Sequence, residues 1–337
     1  MVSVVRSSLV TVVALVLVAG VGYAYLRHWA TTSLPIREPV LVELTPGMSF
    51  AGFATELEVA GVIEHDWLFT AYARLKGRTN RIQAGEYRIG VGATPRRLLT
   101  DLVKGAVATY EVRIVEGATI MQVLRQLATT PKLIDDVERP VSAETLLARL
   151  QLGSGHAEGR FFPDTYSYKK GARISEILLR AHDQMRDVLA REWASRAPGL
   201  PYASADEALV MASIIEKETG RDDERPRISR VFVSRLQRAM RLQTDPAVIY
   251  GLGDAFDGDL TRENLNSDTP YNTYQQIGLP PTPIALPGRR SIEAAMHPDG
   301  GDYLYFVARG DGTSEFSATL DQHLAAVRRY QLNGGVL

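Results

Sequence analysis

The sequence predicts an α+β protein with an N-terminal transmembrane helix, a small βααβ module and a larger mixed α/β domain. Three observations lead to this class. Residues 9–26 form an uncharged apolar run, residues 40–105 alternate short strands with helices, and residues 207–220 form a helix that is apolar on almost every side. Hydrophobic residues make up 45% of the 337 residues and charged residues 23%, which is typical of a folded globular chain.

Composition and charge exclude several classes of function. The formal net charge of −1 argues against a nucleic-acid surface, so we predict no nucleic-acid partner. Without cysteines the chain has neither disulfides nor thiolate chemistry. The six histidines are scattered and never fall at a metal-ligand spacing, so we predict no metal and no cofactor.

The apolar run Leu9–Leu26 is eighteen residues long, just enough to span a bilayer. A cleaved signal peptide is the alternative, with Gly22 and Ala24 as its small cleavage residues. The run is longer than a usual signal core, and aromatic residues suited to an interface stand near its end, at Tyr23, Tyr25 and Trp29. We therefore predict a cytoplasmic tail at 1–8 and an uncleaved single-pass anchor in the inner (plasma) membrane. The C-terminal part is then on the periplasmic side.

A short polar linker is predicted at 27–39, and a small module follows at 40–105. Its elements are a strand after Pro39, a helix capped by Ser49, a helix at Asp66–Lys76, a strand at Ile82–Ile89 and a short helix at Pro95–Lys104. This order of strand, helix, helix and strand resembles a LysM-type carbohydrate-binding module. The alternative is a generic α+β spacer.

Residues 106–155 are predicted to be a connecting α+β segment. Residues 112–119 repeat the strand, turn glycine and hydroxyl cap of residues 42–49, which hints at a duplication. Ser142–Leu150 is predicted to be helical, and the run Gly153-Ser154-Gly155 marks the boundary of the last domain.

The last domain, 156–337, is predicted to hold the active site. Its long stretch Met240–Pro287 is rich in Pro, Gly, Asn, Thr and Tyr, and structureless stretches of this length in compact domains are usually functional. The elements predicted around it are helices at Ile174–Ala194, Glu207–Gly220, Val231–Arg238, Ser291–Met296 and Leu320–Leu332, and a strand at Tyr303–Ala308.

Two acids end the apolar helix Glu207–Gly220, whose start is marked by the pattern S-x-x-E at Ser204. Glu216 and Glu218 stand in its last turn. Burial raises the pKa of a carboxyl group, which then keeps its proton near neutral pH and can act as a general acid. The alternative is a fraying helix end with solvated acids.

Several phrases of the last domain occur in the order and spacing of one family. These short motifs are Glu158–Tyr166 (EGRFFPDTY), Ala212–Thr219 (ASIIEKET), Arg241–Tyr250 (RLQTDPAVIY), Pro270–Tyr274 (PYNTY), Gly278–Pro281 (GLPP) and Tyr303–Ala308 (YLYFVA). Together they resemble the membrane-anchored endolytic murein transglycosylases, the YceG-like family.

The resemblance implies an activity on peptidoglycan glycan strands, with cell-wall synthases as candidate partners. Such enzymes cut the β-1,4 bond between N-acetylmuramic acid and N-acetylglucosamine in nascent strands and leave a 1,6-anhydro end. One carboxylic acid protonates the leaving oxygen and then, as a carboxylate, takes the proton of the muramyl C6 hydroxyl. Because the nucleophile is intramolecular, the second carboxylate of a hydrolase is not needed.

The resemblance implies that Glu216, the first glutamate of E-K-E-T, is the catalytic acid and base. Helix geometry leaves the choice open, because Glu218 falls among the bulky Met211 and Ile215 whereas Glu216 falls beside the small Ala212. We expect Glu218 to be a supporting or structural carboxylate.

Amide, hydroxyl and aromatic side chains of the other phrases suit contacts with N-acetylated sugars. The alternatives are a loop packed by its own tyrosines, a turn started by Asp245-Pro246, and a capping role for Glu158. The predicted substrate-binding residues are Glu158, Gln243, Thr244, Asp245, Tyr271, Asn272, Thr273 and Tyr274.

Two positions depart from the family pattern. Thr282 stands where a glycine usually follows the two prolines, and Ser314 stands where a histidine is usual, so neither the loop shape of the family nor a role of that histidine is carried over to this chain. Two rival functions remain from the sequence. One is a non-catalytic glycan-binding scaffold, and the other is a muramidase with Glu158 or Asp245 as its second acid.

Overall fold

The computed structural model describes residues 2–332, with side chains from residue 9 onward. The strands are β1 (Val40–Leu44), β2 (Gly85–Ile89), β3 (Thr109–Arg113), β4 (Thr165–Lys169), β5 (Tyr305–Ala308) and β6 (Ser314–Ser317). The helices are α1 (Val2–Trp29), α2 (Phe50–Val59), α3 (Asp66–Leu75), α4 (Pro95–Lys104), α5 (Ile120–Thr129), α6 (Leu146–Arg149), α7 (Ile174–Ala194), α8 (Ala205–Glu218), α9 (Arg225–Gln237), α10 (Asp245–Leu252), α11 (Arg262–Asn266), α12 (Arg289–Met296) and α13 (Leu320–Val327).

The strands pair two by two, β1 with β2, β3 with β4 and β5 with β6. The first pair is antiparallel, with Val40 opposite Ile89 and Leu44 opposite Gly85. The pair β5–β6 is antiparallel as well. Helices combined with small sheets confirm the predicted mixed α and β composition.

The predicted membrane segment lies inside α1. Its part Leu9–Trp29 is long and apolar enough to cross a membrane, and its apolar window is not buried inside the protein. Residue 1 of the predicted tail lies outside the described residues. A membrane anchor and a signal sequence both fit this helix.

The chain divides into two compact units. The first contains the residues up to 110 together with Ser167–Gly171. Its elements β1, α2, α3 and β2 follow the predicted order, and the side chain of Ser49 accepts the Gly52 N–H at 3.1 Å to cap α2 as predicted. Three residues of the predicted linker are buried in this unit's core, which includes Ala30, Leu34 and Ile36 together with Phe53, Leu57, Phe69 and Leu102.

The second unit, residues 111–166 and 172–332, is built around α8. Every residue of Ala208–Ile215 is buried, which confirms the predicted central helix. Ser204 caps it by accepting the Glu207 N–H at 3.3 Å. The helix ends at Glu218 because Thr219 is extended (φ −148°, ψ 142°), so Gly220 is not the stop that the sequence suggested. Helices α7, α9, α10 and α12 pack against α8.

Several sequence predictions were wrong in detail. The stretch Met240–Pro287 is not irregular throughout, because it contains α10 and α11. Thr261 and Asn264 form a capping box that starts α11, a local pattern that the loop-like composition hid. The helix predicted at Ser142–Leu150 is reduced to the four residues of α6. Strands β4 and β6 were not predicted.

Candidate active site

The last turn of α8 directs its two glutamates to different partners. Residues two apart on an α-helix are rotated by about 200° around its axis. Glu216 therefore contacts helices α9 and α12, and Glu218 contacts the segment that leads into α10. The two carboxyl groups meet different environments although only Lys217 separates them.

Glu218 lies among buried groups beside the N-terminus of α10. The hydroxyl of Thr244 donates a hydrogen bond to its Oε1. Burial raises the pKa of Glu218 to about 7, the Asp245 charge acts in the same direction, and the Thr244 hydrogen bond and Arg235 oppose the shift. A carboxyl group with this pKa is about half protonated at neutral pH, which suits a general acid.

Backbone and hydroxyl hydrogen bonds fix the segment that carries Thr244. The Thr273 hydroxyl accepts the Thr244 N–H at 2.9 Å and donates to the Thr244 carbonyl at 3.1 Å. The Gln243 N–H donates to the Thr273 carbonyl at 3.1 Å. Both threonines are buried, so they position the groups around Glu218.

Gln243 and Asp245 are exposed on either side of buried Thr244. Gln243 has a φ of +53°, a conformation that costs a residue with a side chain about 1–3 kcal/mol and is concentrated at functional sites. Asp245 accepts the Tyr274 hydroxyl at 2.5 Å. The structure thus brings Gln243, Thr244, Asp245 and Tyr274 together at Glu218.

Two other residues of the Pro270–Tyr274 phrase are engaged inside the protein. Asn272 is fully buried, and its amide donates to the carbonyls of Ser267 at 2.6 Å and Leu265 at 3.1 Å. Tyr271 is half-buried, and its hydroxyl hydrogen-bonds the Thr282 hydroxyl at 2.8 Å. Asn272 therefore holds the loop together, and Tyr271 connects this loop to the next one.

Glu216 lies at the N-terminus of α12 and pairs with a buried arginine. Its Oε2 accepts the Ser291 hydroxyl at 2.8 Å and the Gly288 N–H at 2.9 Å, and it lies 3.3 Å from Nη1 of Arg225. The side chains of Glu216 and Arg225 are only 7% and 6% exposed. The Glu116 side chain lies against Gly288, where a Cβ would come within 2.0 Å of its Oε1, so a larger residue there would require Glu116 to move. In each contact Glu216 serves as an acceptor or a counter-ion.

Glu158 is buried away from the residues around Glu218 and belongs to another set of contacts. It accepts the Ile120 N–H at the start of α5 at 2.9 Å and the Tyr250 hydroxyl at 3.2 Å. Burial raises its pKa to about 7 against these hydrogen bonds. The Tyr250 ring packs on Tyr271 with ring centres 5.1 Å apart. Glu158 thus caps the start of α5, 38 residues earlier in the chain, and not the adjacent segment that the sequence offered as an alternative.

The two departures from the family pattern have clear neighbours. The Thr282 hydroxyl donates to the Pro283 carbonyl at 2.9 Å, so Tyr271 is the donor in the bond between their hydroxyls. Ser314 donates its N–H and its hydroxyl to buried Glu224, at 2.7 Å and 2.9 Å. Both hydroxyls thus form hydrogen bonds with neighbouring groups inside the second unit.

Sequence analysis missed the cations near both glutamates. Arg225 pairs with Glu216, and Arg235 hydrogen-bonds the Leu242 carbonyl two residues before Thr244. Both lie on α9, and no local spacing relates them to E-K-E-T. Within residues 2–332, no group of three or more His, Asp or Glu side chains is arranged to hold a metal ion.

Comparison with known proteins gives one consistent family. The model of the YceG-like family matches residues 42–329. An endolytic murein transglycosylase of Bacillus subtilis (strain 168) is 32% identical over 307 residues, which cover 86% of this chain and 84% of that protein. The enzyme of the same name from Streptococcus pneumoniae serotype 2 is 29% identical over 339 residues, and the match spans only 60% of that longer protein.

A solved structure agrees with these relatives. The crystal structure of a yceG-like protein from Listeria monocytogenes matches with a TM-score of 0.54 at 31% identity. The match covers 86% of this chain and 99% of that one. The chain belongs to the YceG-like family.

Proposed function

We propose that the chain is an endolytic murein transglycosylase, a lyase that cuts the glycan strands of nascent peptidoglycan. The relatives from Bacillus subtilis and Streptococcus pneumoniae carry this name. The observation that carries the proposal is the half-buried Glu218, whose carboxyl group binds Thr244 and whose pKa is raised by burial to about 7 beside the Q-T-D and N-T-Y residues. We assign the roles of general acid and general base to Glu218.

The chemistry requires one carboxyl group. Glu218 protonates the glycosidic oxygen between N-acetylmuramic acid and N-acetylglucosamine as the bond from C1 to that oxygen breaks. The C6 hydroxyl of the muramyl residue then attacks C1, and the Glu218 carboxylate takes its proton, so that Glu218 is protonated again. No water is added, and the product ends in a 1,6-anhydro ring.

Glu216 has a different part in this proposal. Its carboxyl group already binds Arg225, Ser291 and the Gly288 N–H, and these charge-assisted contacts hold it between α9 and α12. We propose that Glu216 anchors the end of α8 against α9 and α12. The sequence-based assignment of acid and base to Glu216 is the alternative, and the experiment below decides between them.

Substrate contacts are proposed for the exposed groups beside Glu218. Gln243 and Asp245 are exposed, and Tyr274 is half-buried with its hydroxyl on Asp245. Buried Thr244 and Thr273 support them. In this proposal the loops around the site are held in shape by Asn272, Tyr271 and Glu158, which do not contact the substrate themselves.

The proposal also assigns a role to each of the other segments of the chain. Helix α1 anchors the protein in the inner membrane, with residues 27 onward on the periplasmic side. The βααβ elements within 40–105 form a LysM-like glycan-binding module, residues 106–155 connect it, and residues 156–337 form the catalytic domain. Cell-wall synthases are the proposed partners, because the substrate is a strand that is still being made.

The test is mass spectrometry of glycan strands after digestion by the full chain in detergent. We compare the unaltered protein with Glu218→Gln, Glu216→Gln and, as a control, Glu263→Gln, which changes an exposed glutamate of α11. The expected products are lighter by one water than hydrolysis products, are absent with Glu218→Gln, and persist with the control.

Other outcomes point elsewhere. If Glu218→Gln is active while Glu216→Gln is folded but inactive, the general acid is Glu216. Reducing ends would indicate a muramidase, and strands that co-sediment without being cut would indicate a binding scaffold. Because the acid must carry its proton, the rate is also expected to fall about tenfold per pH unit above pH 7.

A further inference from the structure

Arg235 of α9 is a buried cation whose hydrogen bonds go to neutral groups. The residue is 7% exposed. Its Nε donates to the Leu304 carbonyl at 2.8 Å, and its Nη1 donates to the Leu242 carbonyl at 2.6 Å. The guanidinium lies over the Tyr305 ring, 5.4 Å from its centre. Burying a cation is costly, so a buried arginine bound to carbonyls calls for a functional reason.

The Leu242 carbonyl connects Arg235 to Glu218 through a very short stretch of chain. Gln243 follows in its strained conformation, and Thr244 comes next with its hydroxyl on Glu218. The strain at Gln243 persists only where surrounding contacts fix the backbone. Arg235 supplies such a contact on one side of Gln243, and Thr273 supplies one on the other.

Arg235 also acts on Glu218 through its charge. The charges of Glu218 and Arg235 interact, and this interaction lowers the pKa of Glu218 while burial and the Asp245 charge raise it. Tyr274 faces the same carboxyls, because its hydroxyl binds Asp245 and its own pKa is raised by burial and by these two acids. Arg235 is therefore the cation that opposes Asp245 at Glu218.

We propose that Arg235 is a positioning residue for the general acid, holding the Leu242–Thr244 turn against Glu218 and stabilising the carboxylate that Glu218 becomes after it donates its proton. This inference rests on the proposed function in assigning the acid to Glu218. The contact with the Leu242 carbonyl and the charge make separate contributions, and two substitutions separate them.

The test uses two variants of the full chain in detergent. Arg235→Met removes the charge and the fork of donors but keeps an apolar stem, whereas Arg235→Lys keeps the charge and loses the fork. Arg238→Met is the matched control, because Arg238 follows α9 with its side chain 50% exposed and paired with Asp302 at 3.2 Å. Both kcat and KM are measured against pH, and the Glu218 carboxyl is titrated directly by 13C NMR, with its signal assigned by its loss in Glu218→Gln.

With Arg235→Met, we expect kcat to fall about 10- to 100-fold and the Glu218 titration to move to higher pH. With Arg235→Lys, the titration should stay close to that of the unaltered protein while kcat falls, because the hold on Leu242 is weakened. KM should change less than kcat in either variant, and the control should match the unaltered protein in every measurement.

An unchanged Glu218 titration in Arg235→Met would overturn the charge contribution, and full kcat in Arg235→Lys would overturn the positioning contribution. Should Arg235→Met fail to fold, Arg235→Lys alone still decides the second point, and Arg235→Gln then tests the first. The titration does not depend on activity. A shifted titration together with an active Glu218→Gln would therefore keep the coupling between Arg235 and Glu218 and reject the assignment of the general acid to Glu218.

Discussion

Replacing Glu158 by glutamine should change how the stability of the second unit depends on pH. Burial raises the pKa of Glu158 from its ordinary 4.5 to about 7. Between these values the unfolded chain releases the proton that the folded chain keeps, so the folded state loses stability as the pH rises. At 1.36 kcal/mol per pKa unit, the loss amounts to about 3 kcal/mol and is complete above pH 7.

Glutamine has the same shape and does not ionise. Its oxygen can accept the Ile120 N–H, and its amide can donate to the Tyr250 hydroxyl, so both partners of Glu158 keep a hydrogen bond. We therefore expect Glu158→Gln to match the parent within about 1 kcal/mol at pH 4.5 and to exceed it by about 2–3 kcal/mol at pH 8. Glu218, whose pKa is also about 7, contributes a slope of the same sign in both proteins and cancels in the difference.

The assay is denaturant unfolding in detergent followed by tryptophan fluorescence. The chain has three tryptophans, and Trp193 is the one in the second unit, where it packs against the core around α8. With Trp29 and Trp67 replaced by phenylalanine, the signal reports this unit alone. A stability difference between variant and parent that is the same at pH 4.5 and pH 8 would refute the reasoning, as would a variant that is less stable at pH 8.

Three further predictions concern the supporting contacts. Arg225→Met should destabilise the second unit by about 3–5 kcal/mol, because it leaves the buried Glu216 without its counter-ion, and adding Glu216→Gln should recover part of the loss in the same unfolding assay. Asn272→Leu should cost about 1–3 kcal/mol by leaving buried carbonyls without donors, and hydrogen exchange should show faster opening confined to residues 264–276. Thr282→Val should cost about 1 kcal/mol of unfolding free energy by removing the hydroxyl bound to Tyr271, whereas Thr282→Ser should cost less.

The helices that the sequence predicted well are those marked by residues close together in the chain, a capping residue and the apolar face that follows it. The helices that begin after Ser49, Thr119 and Ser204 each have a hydroxyl cap followed by a periodic apolar face. Strands β4 and β6 carry no such signal, because strands of five and four residues are defined by a partner elsewhere in the chain. Helix α10 was missed because Thr, Asp and Pro at its start are also turn residues.

The candidate site shows the same division between local and distant information. Its residue types were predicted, but their partners were not. Thr244 stands 26 positions after Glu218, and Arg235 reaches the Leu242 carbonyl across the end of α9. Asn272 is of a type suited to sugar binding, yet its buried amide holds the loop. The sequence therefore names the groups, and packing decides which of them face substrate.

The pair Glu216 and Glu218 shows why local geometry left the choice of acid open. Helix periodicity states only that the two side chains point in different directions, and it was right to that extent. It contains nothing about Arg225, which pairs with the Glu216 carboxyl group, or about the buried Thr244, whose hydroxyl donates a hydrogen bond to Glu218.

A general acid needs burial without a close cation that fixes its negative charge. Glu218 has this combination. Arg235 donates hydrogen bonds to the carbonyls of Leu242 and Leu304, and it affects Glu218 only through the electrostatic interaction of its charge. Placing a cation at the exposed neighbour Asp245, whose charge raises the pKa of Glu218, should therefore lower that pKa and reduce kcat while leaving the fold intact, and Asp245→Arg, assayed for cleavage and for Trp193 fluorescence, is the substitution that tests this argument.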